Sequence, residues 1–243
     1  VADHAVIEVR GLVKAYGFLP VLKKLDLDVH QGTTVALLGP NGSGKSTLLK
    51  LIAGLSKPTD GTIRVGGWDM PKEANAVRAQ IGMVSHQSLL YANLTARENL
   101  HFFATLYNLK DDELNNRIDS LLEQVGLKKR AGSLVRTFSR GMQQRLSIAR
   151  ALLHDPHVLL FDEPYTGLDQ DAATILDDLL NKAKGEQRTI LIATHQLERA
   201  ANIADRVVIL ARGTIGYDQP DHQFDGYKLA HIYTDITGAA VAR

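Results

Sequence analysis

The sequence predicts an α/β domain with a mainly parallel central sheet, a small antiparallel sheet beside it and an inserted block of helices. Three observations carry this. Short β-branched runs alternate with longer helical stretches, the pattern of strands connected through crossover helices. The first thirty residues instead read as two strands around a turn. Between about Ser88 and Arg150 the strand signal gives way to helical periodicity.

Taken in order, the opening strands flank a turn near Gly17 to Pro20, and a further extended stretch follows at Gly61 to Val65, completing the antiparallel sheet. Thr33 to Leu38, His157 to Phe161 and Thr189 to Thr194 are strands of the main sheet. The helical block comprises Ala96 to Tyr107, Asp111 to Val125 and Gly141 to Leu153. Thr95 and Glu98 have the spacing of a capping box that starts the first of these helices. The expected organisation is a single domain, with 1–87 and 151–218 as core and antiparallel sheet and 88–150 as the helical part. The stretch 219–243, of weak periodicity, is left unassigned.

Composition narrows the function classes. The chain has 243 residues, 44% hydrophobic and 23% charged, which is average for a folded chain and argues against disorder. A formal net charge of +1, with 28 basic and 27 acidic residues well mixed, leaves no electrostatic footprint for nucleic acid. No apolar run approaches the roughly 18 to 20 residues of a membrane span, and the N-terminus lacks the basic-then-apolar pattern of a secretory signal. The absence of cysteine fits a reducing cytosol and excludes thiolate metal sites. His154 and His157 are separated by Asp155 and Pro156, which argues against a shared helical face and a structural metal.

The first chemical motif is Gly39-Pro40-Asn41-Gly42-Ser43-Gly44-Lys45-Ser46-Thr47, matching G-x-x-x-x-G-K-S after the apolar strand Val35 to Leu38 and opening a helix over Ser46 to Ala53. Its glycines permit a backbone whose N–H groups turn inward, an anion nest at a helix N-terminus that fits a triphosphate. Lys45 then pairs with the β- and γ-phosphates, the Ser46 hydroxyl ligates magnesium, and Thr47 bonds a nearer phosphate oxygen. This predicts binding of ATP with Mg2+. Alone, the loop does not separate GTPases, kinases, helicases and transporters.

Val158 to Phe161 runs into Asp162 and Glu163, placing two acids at the carboxyl edge of the sheet, where ligands of such folds collect. Asp162 is expected to hold magnesium. Glu163 is expected to orient water in line with the γ-phosphate and take its proton. Any strand can end in solvated acids, but here Pro164-Tyr165-Thr166-Gly167-Leu168-Asp169 follows.

With Thr137-Phe138-Ser139-Arg140-Gly141-Met142-Gln143-Gln144-Arg145-Leu146 and its helix upstream of those acids, the chain resembles the ATPase subunits of ABC transporters from roughly Val6 to Gly216. The resemblance implies a P-loop NTPase core of RecA type. It also implies two subunits pairing head to tail, so that Ser139 and Gly141 of one copy close over the phosphate loop of the other, in a homodimer. Arg140 stands where the commonest signature has a second glycine, and Met142 where it has glutamine; the variant resembles that of compact bacterial exporters. By the same resemblance Tyr16 stacks on adenine and Gln87 touches magnesium and links the site to the helical block. Asp169 communicates between subunits, and His195 contacts the γ-phosphate and steadies Glu163. A lone histidine at a strand end is usually structural; its place behind the other motifs reverses that.

DNA-repair and chromosome-organising relatives insert long coiled coils or zinc modules between loop and signature, and translation-linked relatives carry two nucleotide domains. Here only 48–136 intervenes, without cysteine, and a single loop is present. The expectation is a peripheral subunit on the cytoplasmic face of the inner membrane, docked on an integral membrane partner near Gln87 to Thr95. The wording of Ile81 to Leu100, of Phe138 to Arg145 and of Asp162 to Asp169 is similar to the haem-exporter ATPases of bacterial cytochrome c maturation. Another compact exporter, of drug, antibiotic or lipid, and a regulatory nucleotide-binding module stay open as alternatives.

Overall fold

The fold is that of a computed structural model describing residues 5–85, 87–109, 113–220 and 226–238. Strands β1 (Ala5–Tyr16) and β2 (Leu19–His30) form a hairpin turning at Gly17 and Phe18, so Leu19 and Pro20, expected in the turn, already belong to β2. They join β4 (Asp60–Val65) and β5 (Trp68–Met70) in an antiparallel sheet of order β2-β1-β4-β5. Period-two burial in β1 and β2 puts Ile7, Val9, Leu25, Leu27 and Val29 inside.

The main sheet has order β10-β9-β3-β8-β7-β6, built from β3 (Thr34–Leu38), β6 (Ile81–Val84), β7 (Val158–Asp162), β8 (Thr189–Thr194), β9 (Arg206–Ala211) and β10 (Thr214–Pro220). All neighbours are parallel except β10, which runs back along the edge. The runs of β3, β7 and β8 are buried at every position because helices or the second sheet cover both faces. Alternation divides them. Val35, Leu37, Leu160, Leu191 and Leu210 pack with the antiparallel sheet and helix α1 (Lys45–Ile52). Leu159, Phe161, Ile190 and Ile192 pack on the opposite face with the helices that follow.

Those helices are α3 (Ala96–Leu106), α4 (Leu114–Gln124), α5 (Arg140–Leu152) and α6 (Gln170–Gly185), after a short α2 (Ala74–Gln80). Thr95 and Glu98 make the expected capping box. The expected helix from Asp111 to Val125 begins at Leu114, and its first two residues lie outside those described. α1 starts one residue before its expected Ser46, and β7 is displaced one residue from His157 to Phe161, making Asp162 its last residue. α7 (Leu197–Ile203) precedes β9. Part of the stretch left unassigned has structure: β10 continues to Pro220, and α8 (Gly226–Thr237) buries Leu229 and Tyr233 against α7 and β9. The rest of that stretch, 221–225 and 239–243, lies outside the described residues.

Candidate functional site

At the carboxyl ends of β3, β7 and β8 three loops converge. The Gly-rich loop leaves β3 and enters α1 through Gly44, whose φ of 110° is open to glycine and closed to most side chains. A Cβ on Gly39 would lie 2.2 Å from the Leu210 carbonyl oxygen, so β9 also leaves no room at the loop's start. Lys45 is buried, and its ammonium donates to the Gly39 carbonyl at 2.7 Å and the Pro40 carbonyl at 3.3 Å. Burial lowers its pKa, and the charges of Glu163 and Asp162 oppose that shift.

The Ser46 hydroxyl donates to Asp162 Oδ1 at 2.7 Å, with Asp162 3% exposed. Glu163 follows in a left-handed conformation, φ 51°, which a glutamate adopts only where its surroundings impose it. Its N–H still bonds the Ala193 carbonyl of β8 at 2.8 Å, so the kink occurs with one ladder bond kept. Its Oε2 lies 2.8 Å from Nδ1 of His195, and its Oε1 is 3.7 Å from the Lys45 ammonium, buried without a hydrogen-bond partner.

These groups line a cleft of about 510 Å³ with Asn41 and Gln87, within the usual range of small-molecule sites. The structure therefore brings together Asn41, Ser46, Gln87, Asp162, Glu163 and His195, with Lys45 beside them. Lys50, Ser85 and Thr166 line it too and were not anticipated. Thr166 lies within the stretch Pro164 to Asp169, and Ser85 within Val84 to Gln87, so both sit in motifs legible in the sequence; Lys50 had no signal beyond adjacency. Ser85 donates to the Gln87 carbonyl at 2.6 Å. Helix α5 fastens that segment from below: Ser147 and Arg150 both donate to the Ser88 carbonyl at 3.0 Å, and Arg150 also to Met83 at 3.0 Å.

The other anticipated residues do not line this cleft. Tyr16 ends β1 half-exposed, with the Lys14 ammonium 4.7 Å from its ring centroid. Ser139 caps α5 by accepting from the Met142 N–H at 3.3 Å, and Asp169 caps α6 by accepting from Ala172 at 2.8 Å. Gly141 lies beside Gly167 and Leu168, and the Arg140 side chain folds over Gly167, where a Cβ would meet its Cδ and Nε at 2.9 Å. Within the loop, Ser43 donates its N–H to the Pro40 carbonyl at 3.1 Å, its hydroxyl is buried without a partner, Gly42 is exposed and Thr47 is half-buried.

The oxygen set of Ser46, Gln87 and Asp162 suits a hard divalent cation; among the buried polar atoms without a partner, the Ser43 hydroxyl is free to donate to a phosphate oxygen and Glu163 Oε1 to accept from a water or hydroxyl. Among the described residues no cluster of three or more histidine, cysteine or acidic side chains is arranged as a metal cage. His154 is occupied otherwise: its ring stacks 3.8 Å from that of Tyr107, and its Nε2 is 3.1 Å from the Ile81 carbonyl.

The family model described as ABC transporter matches residues 22–166. The chain is 39% identical over 197 residues to the ABC transporter ATP-binding protein NatA of Bacillus subtilis, covering 81% of this chain and 80% of that protein. It is 36% identical over 235 residues to the Nod factor export ATP-binding protein I of Cupriavidus pinatubonensis, covering 95% and 72%. A solved dimer of the ATP-binding cassette MJ0796 in a post-hydrolysis state with ADP and Pi superposes with a TM-score of 0.82 at 28% identity, covering 90% of this chain and 100% of that one.

Proposed function

Since this chain belongs to the ABC transporter family, as an ATP-hydrolysing ATP-binding subunit, we propose that its cleft works as half of a composite site powering a separate membrane subunit. The observation that carries this reading is the pair of bonds across the cleft, Ser46 to Asp162 at 2.7 Å and Glu163 to His195 at 2.8 Å, beside the glycine-rich loop.

The loop 39–44 and Lys45 hold the β- and γ-phosphates, Thr47 bonds a nearer phosphate oxygen, and Tyr16 stacks on adenine. Ser46, Gln87 and Asp162 hold magnesium, which when bound neutralises charge on the phosphate oxygens. Glu163 takes the proton of the attacking water, and His195 holds the carboxylate in place through Oε2. Ser139, Gly141 and Asp169 lie outside the cleft of their own chain, which supports their acting on the cleft of a second copy. The MJ0796 dimer is a relative in which two cassettes are paired.

Among the described residues no helix is long and apolar enough to cross a membrane; on the family resemblance the subunit attaches peripherally to an integral partner at the cytoplasmic face. Leu89 and Tyr91, both largely exposed between Gln87 and Thr95, support docking there. For cargo, the name of the Nod factor export protein supports a compact exporter in general; export of haem rests on the three sequence phrases alone. The chain divides into a core of 1–87 with 151–218 and a helical part of 88–150, and α8 packs on the core side against α7 and β9.

Glu163→Gln is expected to bind ATP normally while turnover falls by about 10²- to 10⁴-fold, the usual worth of a positioned general base. With ATP and magnesium the same variant is expected to elute at twice the monomer mass. A wild-type protein that binds ATP and never hydrolyses it, even with its membrane partner, would favour the regulatory module. A persistent monomer at saturating ATP would count against the shared site.

A further inference from the structure

Two residues beyond Glu163, Tyr165 is 5% exposed on the loop from β7 to α6. Its hydroxyl donates to Asp177 Oδ1 at 2.6 Å, and Asp177 Oδ2 accepts from Arg199 Nη1 at 2.9 Å. The Arg199 guanidinium closes the triangle by lying over the Tyr165 ring, 4.5 Å from its centroid. Each corner belongs to a different element: the loop that carries Glu163, the middle of α6, and α7, which starts two residues after His195.

Both ends of the Glu163–His195 hydrogen bond are therefore tied to the same three side chains, one end two residues from the acid and the other four residues from the histidine. Both oxygens of Asp177 are engaged, and its bonds to the phenol and the guanidinium are charge-assisted, stronger and more directional than neutral ones. Burial first, and then the Asp177 bond, push the phenol's pKa upward, so it stays a protonated donor at neutral pH. The left-handed Glu163 backbone also needs constraint from outside itself, because a non-glycine residue holds φ 51° only when its neighbours over-determine it. The loop is gripped from the other side as well, where Gln144 of α5 donates to the Pro164 carbonyl at 3.3 Å.

We propose that Tyr165, Asp177 and Arg199 form a positioning clamp for ATP hydrolysis, holding the Glu163 loop and the His195 loop in register so that the bond between the two side chains forms. The clamp touches no substrate and acts through that bond, so it rests on the reading of Glu163 and His195 as the hydrolytic pair.

The test is a double-mutant cycle on the full chain, assayed as Mg-ATP turnover with its membrane partner. Tyr165→Phe keeps the ring and its packing and removes only the hydroxyl. It is expected to lower kcat roughly tenfold with KM for ATP changed by less than about twofold, the pattern of lost alignment without lost binding. In a His195→Ala background the same substitution is expected to cost less than about twofold, because the bond being aligned is gone. Arg199→Lys keeps the charge but not the stacked planar fork, and gives a smaller loss of the same kind; it carries the cycle if Tyr165→Phe fails to fold. Losses that multiply independently, or an unchanged kcat in both Tyr165→Phe and Arg199→Lys while His195→Ala is impaired, overturn the clamp and leave the hydrolytic pair standing. An unimpaired His195→Ala removes the pair itself, and the clamp with it.

Discussion

His154 couples the helical block to the main sheet, with its ring stacked on Tyr107 just past the end of α3 and its Nε2 on the Ile81 carbonyl of β6. Burial holds its pKa down, from the usual 6.5 to about 4. Between those values the unfolded chain binds the proton and the folded chain does not. Its contribution to stability is therefore complete above about pH 6.5, declines as pH falls, and is gone below about pH 4. Thermal melts should show the wild type losing stability over that window more steeply than His154→Phe; parallel curves would refute the assignment. The site residues themselves were legible at this scale. Lys45, Ser46, Asp162 and Glu163 were identified because each lies in a short motif whose residue types are dictated by phosphate and metal chemistry. The left-handed Glu163 was not, because a strained φ in a glutamate has no compositional mark.

Among elements, α3 was the clearest, since its start is written in a local code: Thr95 accepts from the Glu98 N–H at 3.2 Å, and the Glu98 carboxylate accepts from the Thr95 N–H at 2.8 Å. Thr95→Ala should cost about 1 kcal/mol in urea unfolding and leave ATP affinity unchanged. An unaltered midpoint would mean that tertiary packing alone holds the helix start. Elements with weak local signals were missed. β6 is four residues long and contains Gly82, a poor strand former by propensity. The glycine is needed because a Cβ there would lie 2.4 Å from the Ala151 carbonyl of α5. Helix α8 buries only Leu229 and Tyr233, too narrow an apolar stripe to stand out in the sequence.

At the scale of the whole molecule, the cargo that the cycle drives is tested in the cell. If the cargo is haem, deleting the gene in an organism without a second copy should abolish assembled c-type cytochromes, measured by haem staining of membrane fractions; retained cytochromes would leave the wider exporter reading. The sequence by itself determined the α/β class, the glycine-rich loop, the acidic pair and the family, because strand periodicity and motif spacing are local properties of the chain. Only the tertiary structure decided which motifs meet. Ser46 and Asp162 are 116 residues apart, and Glu163 and His195 are 32 apart; they are joined because β3, β7 and β8 lie side by side in the sheet. The same packing leaves Ser139, Gly141 and Asp169, at the starts of α5 and α6, outside the lining of that cleft. Strand order and helix direction are set by the burial of both sheet faces at once, a long-range constraint that no single stretch of sequence records.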